Sequence, residues 1–238
     1  MVAAGGGGAD SAELARFNAL ARDWWDPRGP MRPLHEMNPV RIGWIEARLR
    51  RRFGARRLRL VDVGCGAGLA AEALARRGHD VTGIDAAAEA LVAAREHAAG
   101  MDNPPLYRQA TAADLLAERQ RFQAVTALEV VEHVPDPERF VAELAALTEP
   151  GGMLFLSTIN RTPRSLLIAK FGAEYVARLL PPGTHRWRKF VTPSEISASL
   201  RRAGLRVADI GGLSFRPLAR TWQVTRDCGI NYIVCAER

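Results

Sequence analysis

Residues 58–71 read Leu58-Arg-Leu-Val-Asp62-Val-Gly64-Cys-Gly66-Ala-Gly68-Leu-Ala-Ala71: a mostly apolar run, three glycines two apart, then an alanine-rich stretch reaching Arg77. The order predicts a strand, a tight turn and a helix. Glycines let the backbone approach a ligand where a Cβ would collide, and a helix start offers unpaired N–H groups. A second strand, over residues 79–84, ends at Asp85, placed to accept hydrogen bonds from both hydroxyls of a ribose. This corner therefore predicts an adenosine ligand.

The segment Gly66-Ala-Gly68-Leu-Ala-Ala71 also satisfies the loose G-x-G-x-x-G/A dinucleotide pattern, with Asp85 about 20 residues on. Two features favour S-adenosylmethionine over NAD. Asp62 places an acid just before the first glycine, where it would repel a pyrophosphate but can anchor the methionine end of the cofactor. Gly64, Gly66 and Gly68 also fall two apart. A strand-to-helix turn with no ligand is the plain alternative.

At 238 residues the chain is long enough for one α/β domain with a large core and additions. Cys65, Cys228 and Cys235 form no C-x-x-C pair and leave one odd, which argues against a disulfide framework or thiolate metal site and fits a reducing compartment. No apolar run reaches the roughly 18 residues of a membrane span. Residues 1–9 lack the regions of a signal peptide, and the glycine run at 5–8 reads as a disordered leader. The expected division is a leader and N-terminal helical cap over residues 1–53 and a cofactor-binding domain over 54–238.

The formal charge of +7 is uneven, because residues 161–190 alone carry a net +6. The remainder is near neutral. That distribution suits an enzyme with a basic patch better than a nucleic-acid-binding module, and the patch has few aromatics beyond Trp187 and Phe190 for stacking bases.

Asp10-Ser-Ala-Glu13 has the form of a capping box, followed by Leu14, Phe17, Ala21 and Trp24 at helical spacing. Asn38-Pro39 reads as the N-cap and first residue of a helix running to about Arg52, which puts Arg41 in its first turn. A cation there gains nothing from the helix dipole, so Arg41 suggests another partner, such as a cofactor carboxylate. Strands are expected at 58–63, 80–84, 106–108, 124–128, 153–158, 205–210 and 232–236, alternating with helices as in a mostly parallel sheet. Asp136-Pro137 and Thr192-Pro-Ser-Glu195 mark two further helix starts. The long connection after the fifth strand contains an expected amphipathic helix at 165–180, with Leu167, Ile168, Phe171, Tyr175, Val176 and Leu179 on one face and Lys170, Glu174 and Arg178 on the other. An apolar face with a basic rim fits an anionic membrane surface or an apolar substrate, and equally an ordinary helix packed on the core.

After the fourth strand comes Leu128-Glu129-Val-Val-Glu132-His133-Val-Pro-Asp136-Pro137, at the carboxyl edge where open α/β sheets bind ligands. Glu129, Glu132 and His133 are spaced i, i+3, i+4, so one helical turn would set them on one face. That set suggests Mg²⁺ or a similar ion, or His133 acting alone as general base.

Taken together, Trp24-Trp25-Asp26, Pro33-Leu-His35, Asn38-Pro-Val-Arg41, Val61-Asp-Val-Gly64-Cys-Gly66, Glu132-His-Val-Pro-Asp-Pro137, Ser157-Thr-Ile-Asn-Arg161, Gly172-Ala-Glu-Tyr175 and Gly183-Thr-His185 resemble the ubiquinone-biosynthesis O-methyltransferases, over nearly the whole chain. The resemblance implies a class I methyltransferase, Rossmann-like, with a seven-stranded sheet, helices on both faces, an N-terminal helical extension and a helical insertion after strand five. It implies S-adenosylmethionine at Arg41, Gly64, Asp85 and Leu128, joined by Asp62, Gly66 and Gly68 of the turn, and a metal at Glu129, Glu132 and His133. Leu128 stands where the family has methionine, and Ala67 where a further glycine is usual. The implied substrates are phenolic hydroxyls of polyprenylated catechols and hydroquinols, 2-polyprenyl-6-hydroxyphenol and 3-demethylubiquinol. The implied setting is the cytoplasmic side of a bacterial inner membrane, touched peripherally through residues 161–190, beside other enzymes of ubiquinone biosynthesis. A class I methyltransferase acting on a soluble metabolite is the alternative.

Overall fold

The computed structural model describes Ala15 and residues 18–167, 189–217 and 219–238. The expected capping box at 10–13 and most of the expected 165–180 helix lie outside these residues.

Eight strands form one sheet: β1 (Arg59–Val63), β2 (Asp80–Asp85), β3 (Leu106–Gln109), β4 (Phe122–Leu128), β5 (Thr148–Ile159), β6 (Arg206–Arg216), β7 (Thr221–Thr225) and β8 (Asn231–Glu237). Their order is β3-β2-β1-β4-β5-β8-β6-β7. The pairings from β3 to β5 are parallel, and those of β8 with β5 and β6, and of β6 with β7, are antiparallel. The expected seven strands are all present. The eighth, β7, was not foreseen because Thr221-Trp-Gln-Val-Thr225 carries too few apolar residues to read as a strand, yet the hairpin partner β6 supplies its hydrogen bonds.

The helices are α1 (Arg32–Phe53), α2 (Leu69–Ala75), α3 (Ala88–Ala98), α4 (Ala112–Ala117), α5 (Pro137–Leu147) and α6 (Pro193–Arg202), with short 3₁₀ turns at Ala21–Asp23 and Val131–His133. Helix α1 corrects one expectation. It starts at Arg32 with Pro33 in its first turn, so Pro39 lies inside it and Arg41 in its middle. Asn38 caps nothing; its Nδ2 donates to the Leu69 carbonyl at 2.9 Å, tying α1 to the start of α2. The other starts hold: Asp136 accepts from the Arg139 amide, and Thr192 and Glu195 form a reciprocal capping box.

Successive residues of a strand point to opposite faces, and β5 feeds two cores accordingly. Met153 and Phe155 pack with Ile42, Ile45, Leu74 and Leu91 under α1 to α3, while Leu154 and Leu156 pack with Val141, Leu144, Leu200 and Tyr232 under α5 and α6. Burial on both sides explains why the central strands read as continuous apolar runs.

Candidate active site

The turn after β1 is built as its glycines require. Gly64, Gly66 and Gly68 have φ of 71°, 54° and 89°, a region that costs any residue with a Cβ. The Gly64 and Cys65 amides donate to the Ile84 carbonyl at 2.8 and 3.0 Å, locking the turn to the end of β2. Asp85 accepts from the Gly66 amide through Oδ2 and from the Ala87 amide through Oδ1, each at 2.8 Å, and burial pushes its carboxyl pKa up. Each carboxylate oxygen retains a further acceptor site. The Cβ direction of Gly66 is filled by the Trp24 indole and that of Gly68 by the Tyr107 hydroxyl. Gly66 thus faces the cavity beneath Trp24, while Gly68 braces the turn from behind.

Asp62 and Arg41 are both buried. Thr126 Oγ1 donates to Asp62 Oδ1 at 2.6 Å, but burial outweighs that bond and the nearby Arg41 charge and lifts the carboxyl to about 6. Arg41 Nη2 donates to Asn38 Oδ1 at 3.3 Å and Nη1 lies 3.7 Å from Glu129 Oε1, while Nε and Nη1 have no hydrogen-bond partner among the described residues. Burial pulls the guanidinium pKa down, opposed by Glu129, Asp62 and Glu132. A buried cation with two idle donors is costly unless something anionic engages it.

Glu129 has φ of 59°, a left-handed conformation uncommon outside glycine. Its Oε1 accepts from Ser157 Oγ at 2.6 Å and its Oε2 from Asn231 Nδ2 at 3.1 Å. Glu132 Oε2 accepts from Thr158 Oγ1 at 2.8 Å. Ser157 and Thr158 are consecutive on β5, so each carboxylate is held by its own hydroxyl at the end of that strand. This corrects the expected helical turn at 129–133. The left-handed residue and the single 3₁₀ turn replace the helical turn that would have aligned Glu129, Glu132 and His133, and among the described residues no group of three His, Cys, Asp or Glu side chains is arranged to hold a metal ion.

One cavity of about 390 Å³, within the range of small-molecule sites, brings together Gly64, Gly66, Asp85, Leu128, Glu129, Glu132 and His133; Arg41, Asp62 and Gly68 are not among its lining residues. Gly64, Gly66, Asp85 and Ala86 line one end; Leu128, Glu129, Glu132, His133, Trp222 and Asn231 line the other. Leu20, Trp24, Pro30, Met31, Leu34 and Met37 roof it, giving the N-terminal extension its role. Trp25 fastens that roof, its Nε1 donating to the Ala67 carbonyl at 3.0 Å and its ring stacked on His97 at 3.4 Å. Trp222 and Asn231 escaped the sequence reading, and Trp222 Nε1 and Asn231 Oδ1 are buried without a hydrogen-bond partner among the described residues. Ser157-Thr158, a polar pair inside an apolar strand, was the legible signal for the Glu129 and Glu132 anchors.

Comparison with known proteins agrees with this geometry. A methyltransferase-domain family model matches residues 39–210. Ubiquinone biosynthesis O-methyltransferase from Azorhizobium caulinodans is 44% identical over 96% of this chain and 93% of its own length. The proteins of that name from Pseudomonas aeruginosa and Methylobacterium nodulans are 45% and 46% identical, each over 96% of this chain and over 97% and 95% of their own. Among solved structures, magnesium protoporphyrin IX methyltransferase from Synechocystis PCC 6803 with bound SAH has a TM-score of 0.70 at 20% identity, covering 96% of this chain and 99% of that one, a likeness of fold. A possible histamine N-methyltransferase from Thermotoga maritima has a TM-score of 0.64 at 15% identity, covering 93% and 97%. With a methyltransferase model matching most of its length and relatives of this identity along nearly all of it, the chain is a methyltransferase and belongs to the ubiquinone biosynthesis O-methyltransferase family.

Proposed function

We propose that this enzyme transfers methyl from S-adenosylmethionine to phenolic hydroxyls of polyprenylated catechol and hydroquinol intermediates, 2-polyprenyl-6-hydroxyphenol and 3-demethylubiquinol. The observation that supports it most is the single cavity running from Gly64, Gly66 and Asp85 to Glu129, His133 and Trp222. In this reading Asp85 accepts from the ribose hydroxyls through its spare acceptor sites, and the Arg41 donors take the methionine carboxylate. Asp62 balances the amino group, Gly64 and Gly66 line the cavity beside the ligand while their missing Cβ atoms leave room for Val130 and Trp24, Gly68 holds the turn, and Leu128 gives apolar contact.

When bound, the cofactor supplies a methyl made electrophilic by its sulfonium. The chain's own task is alignment and proton removal. A phenol of pKa near 10 is a weak nucleophile at neutral pH until its proton has an acceptor. Of the described histidines, His133 alone lines the cavity. His133 takes the proton, while the Trp24 roof excludes water. Glu129, Glu132 and His133 line this cavity but are not grouped as metal ligands among the described residues, so no step is routed through a metal.

A long prenyl tail is worth about 0.8 kcal/mol per buried CH₂, so the acceptor resides in the bilayer and the enzyme works peripherally at the inner membrane. No helix among the described residues is long and apolar enough to cross a membrane. An assay of S-adenosylmethionine with a short-tailed demethylubiquinol analogue, with and without EDTA, tests the reading. The expected result is methyl transfer unaffected by chelation; no transfer would contradict the substrate, and transfer abolished by EDTA would contradict proton removal by His133 alone.

A further inference from the structure

The cavity wall carries an idle hydrogen-bond donor and an idle acceptor. Trp222 and Asn231 both line it, and Trp222 Nε1 and Asn231 Oδ1 are buried with no hydrogen-bond partner among the described residues. Their roles are opposite, since an indole nitrogen only donates and an amide oxygen only accepts. The Asn231 amide cannot be turned round: its Nδ2 donates to Glu129 Oε2 at 3.1 Å, and an ionised carboxylate only accepts, which leaves Oδ1 as the idle end. Strand pairing puts both side chains on one face of the sheet. Leu213 of β6 stands opposite Asn231 of β8 and opposite Val224 of β7, and Phe215, two residues on, stands opposite Trp222. Leu213 belongs to the core under α1, so this is the face that α1 covers. The Phe215 ring lies against Trp222, 5.6 Å between ring centres. A buried polar group without a partner costs more than an ordinary hydrogen bond returns. Two of opposite kind in one wall suit a ligand that both donates and accepts.

We infer that Trp222 and Asn231 select the acceptor, a phenol with a second hydroxyl next to the reacting one: Asn231 Oδ1 accepts from that second hydroxyl, and Trp222 Nε1 donates to an oxygen of the same ring. The inference rests on the reading of a phenolic acceptor and names the residues that read it. The assignment follows from the proton. The reacting hydroxyl gives its proton to His133, so only its neighbour keeps one to share with Asn231 throughout the transfer. A methoxy or keto oxygen in the neighbour's place could accept from Trp222 but would leave Asn231 Oδ1 stranded. A site built to hydrogen-bond a hydroxyl rejects the analogue lacking it far more strongly than an apolar pocket does, because its own polar groups are then left unpaired.

The test gives the full chain two short-tailed acceptors, a 3-alkylcatechol and the 3-alkylphenol that lacks only the second hydroxyl. Wild type is expected to favour the catechol by about tenfold or more in kcat/KM. Asn231→Ala should erase that preference. Ser157→Ala, which likewise removes a hydrogen bond from Glu129 but leaves Asn231 Oδ1 in place, should keep it. Trp222→Phe should weaken binding of the catechol to the complex with S-adenosylhomocysteine by about tenfold, read by calorimetry. Its affinity for S-adenosylhomocysteine alone should match wild type, which shows the fold and the cofactor end intact. A preference that survives Asn231→Ala, or a catechol affinity unchanged in Trp222→Phe, would overturn the inference. So would wild type that takes both acceptors equally. Methylation of neither acceptor by wild type would instead overturn the functional reading, so the two failures are distinct.

Discussion

Asp62 is where burial and charge compete most openly. Its folded carboxyl titrates near 6, above the ordinary value of 3.8, because desolvation exceeds what Thr126 and Arg41 return. The folded state therefore binds this proton more tightly than the unfolded chain, and the stability it contributes is full below about pH 4 and lost as pH rises through about 6. Asp62→Asn removes that slope. Urea unfolding of the free enzyme from pH 4 to 7 should show the variant gaining on wild type by on the order of 2 kcal/mol; a pH-independent difference would contradict this. S-adenosylhomocysteine, with the same amino group, should bind wild type more tightly as pH rises through 6, and Asp62→Asn without that rise. In the sequence Asp62 was legible as an acid beside the first glycine, and Asp85 as a ribose acceptor. The local spacing of Glu129, Glu132 and His133 suggested a helical turn that does not form, because Glu129 is left-handed and its carboxylate is held by Ser157 and Asn231, residues 28 and 102 positions away.

At the scale of elements, capping chemistry was the most transferable signal. Thr192 Oγ1 accepts from the Glu195 amide at 3.3 Å, and the Thr192 amide donates to Glu195 Oε2 at 2.8 Å. Thr192→Ala should cost about 1 kcal/mol and lower Tm by about 2–4 °C, read by calorimetry; an unchanged Tm would show the cap to be idle. The strands of the parallel half were legible because burial on two faces makes them apolar throughout. Helix α1 was read seven residues short at its start, since Asn38-Pro39 imitates a helix start. In fact Asn38 reaches across to Leu69, and burial of Met37, Ile42, Trp44, Ile45 and Leu49 carries the helix through Pro39. Strand β7 depends wholly on pairing with β6, a non-local contact that no periodicity announces.

For the molecule as a whole, two cores clamp the sheet, and the site lies at its carboxyl edge, where the β1 and β4 connections meet the roof of residues 18–37. The location followed from the α/β rule; the closure did not, because Trp24 on Gly66 and Trp25 on His97 are contacts between segments far apart in the chain. The central claim is that this one cavity seats a sulfonium donor and a phenolic acceptor side by side. A crystal structure of the full chain with S-adenosylhomocysteine and a short-tailed demethylubiquinol analogue measures that directly. The ribose is expected within hydrogen-bond reach of Asp85, the carboxylate on Arg41, and a ring oxygen facing the thioether sulfur near His133. A nucleoside bound elsewhere, or a ring outside the wall formed by Glu129, His133 and Trp222, would contradict the account.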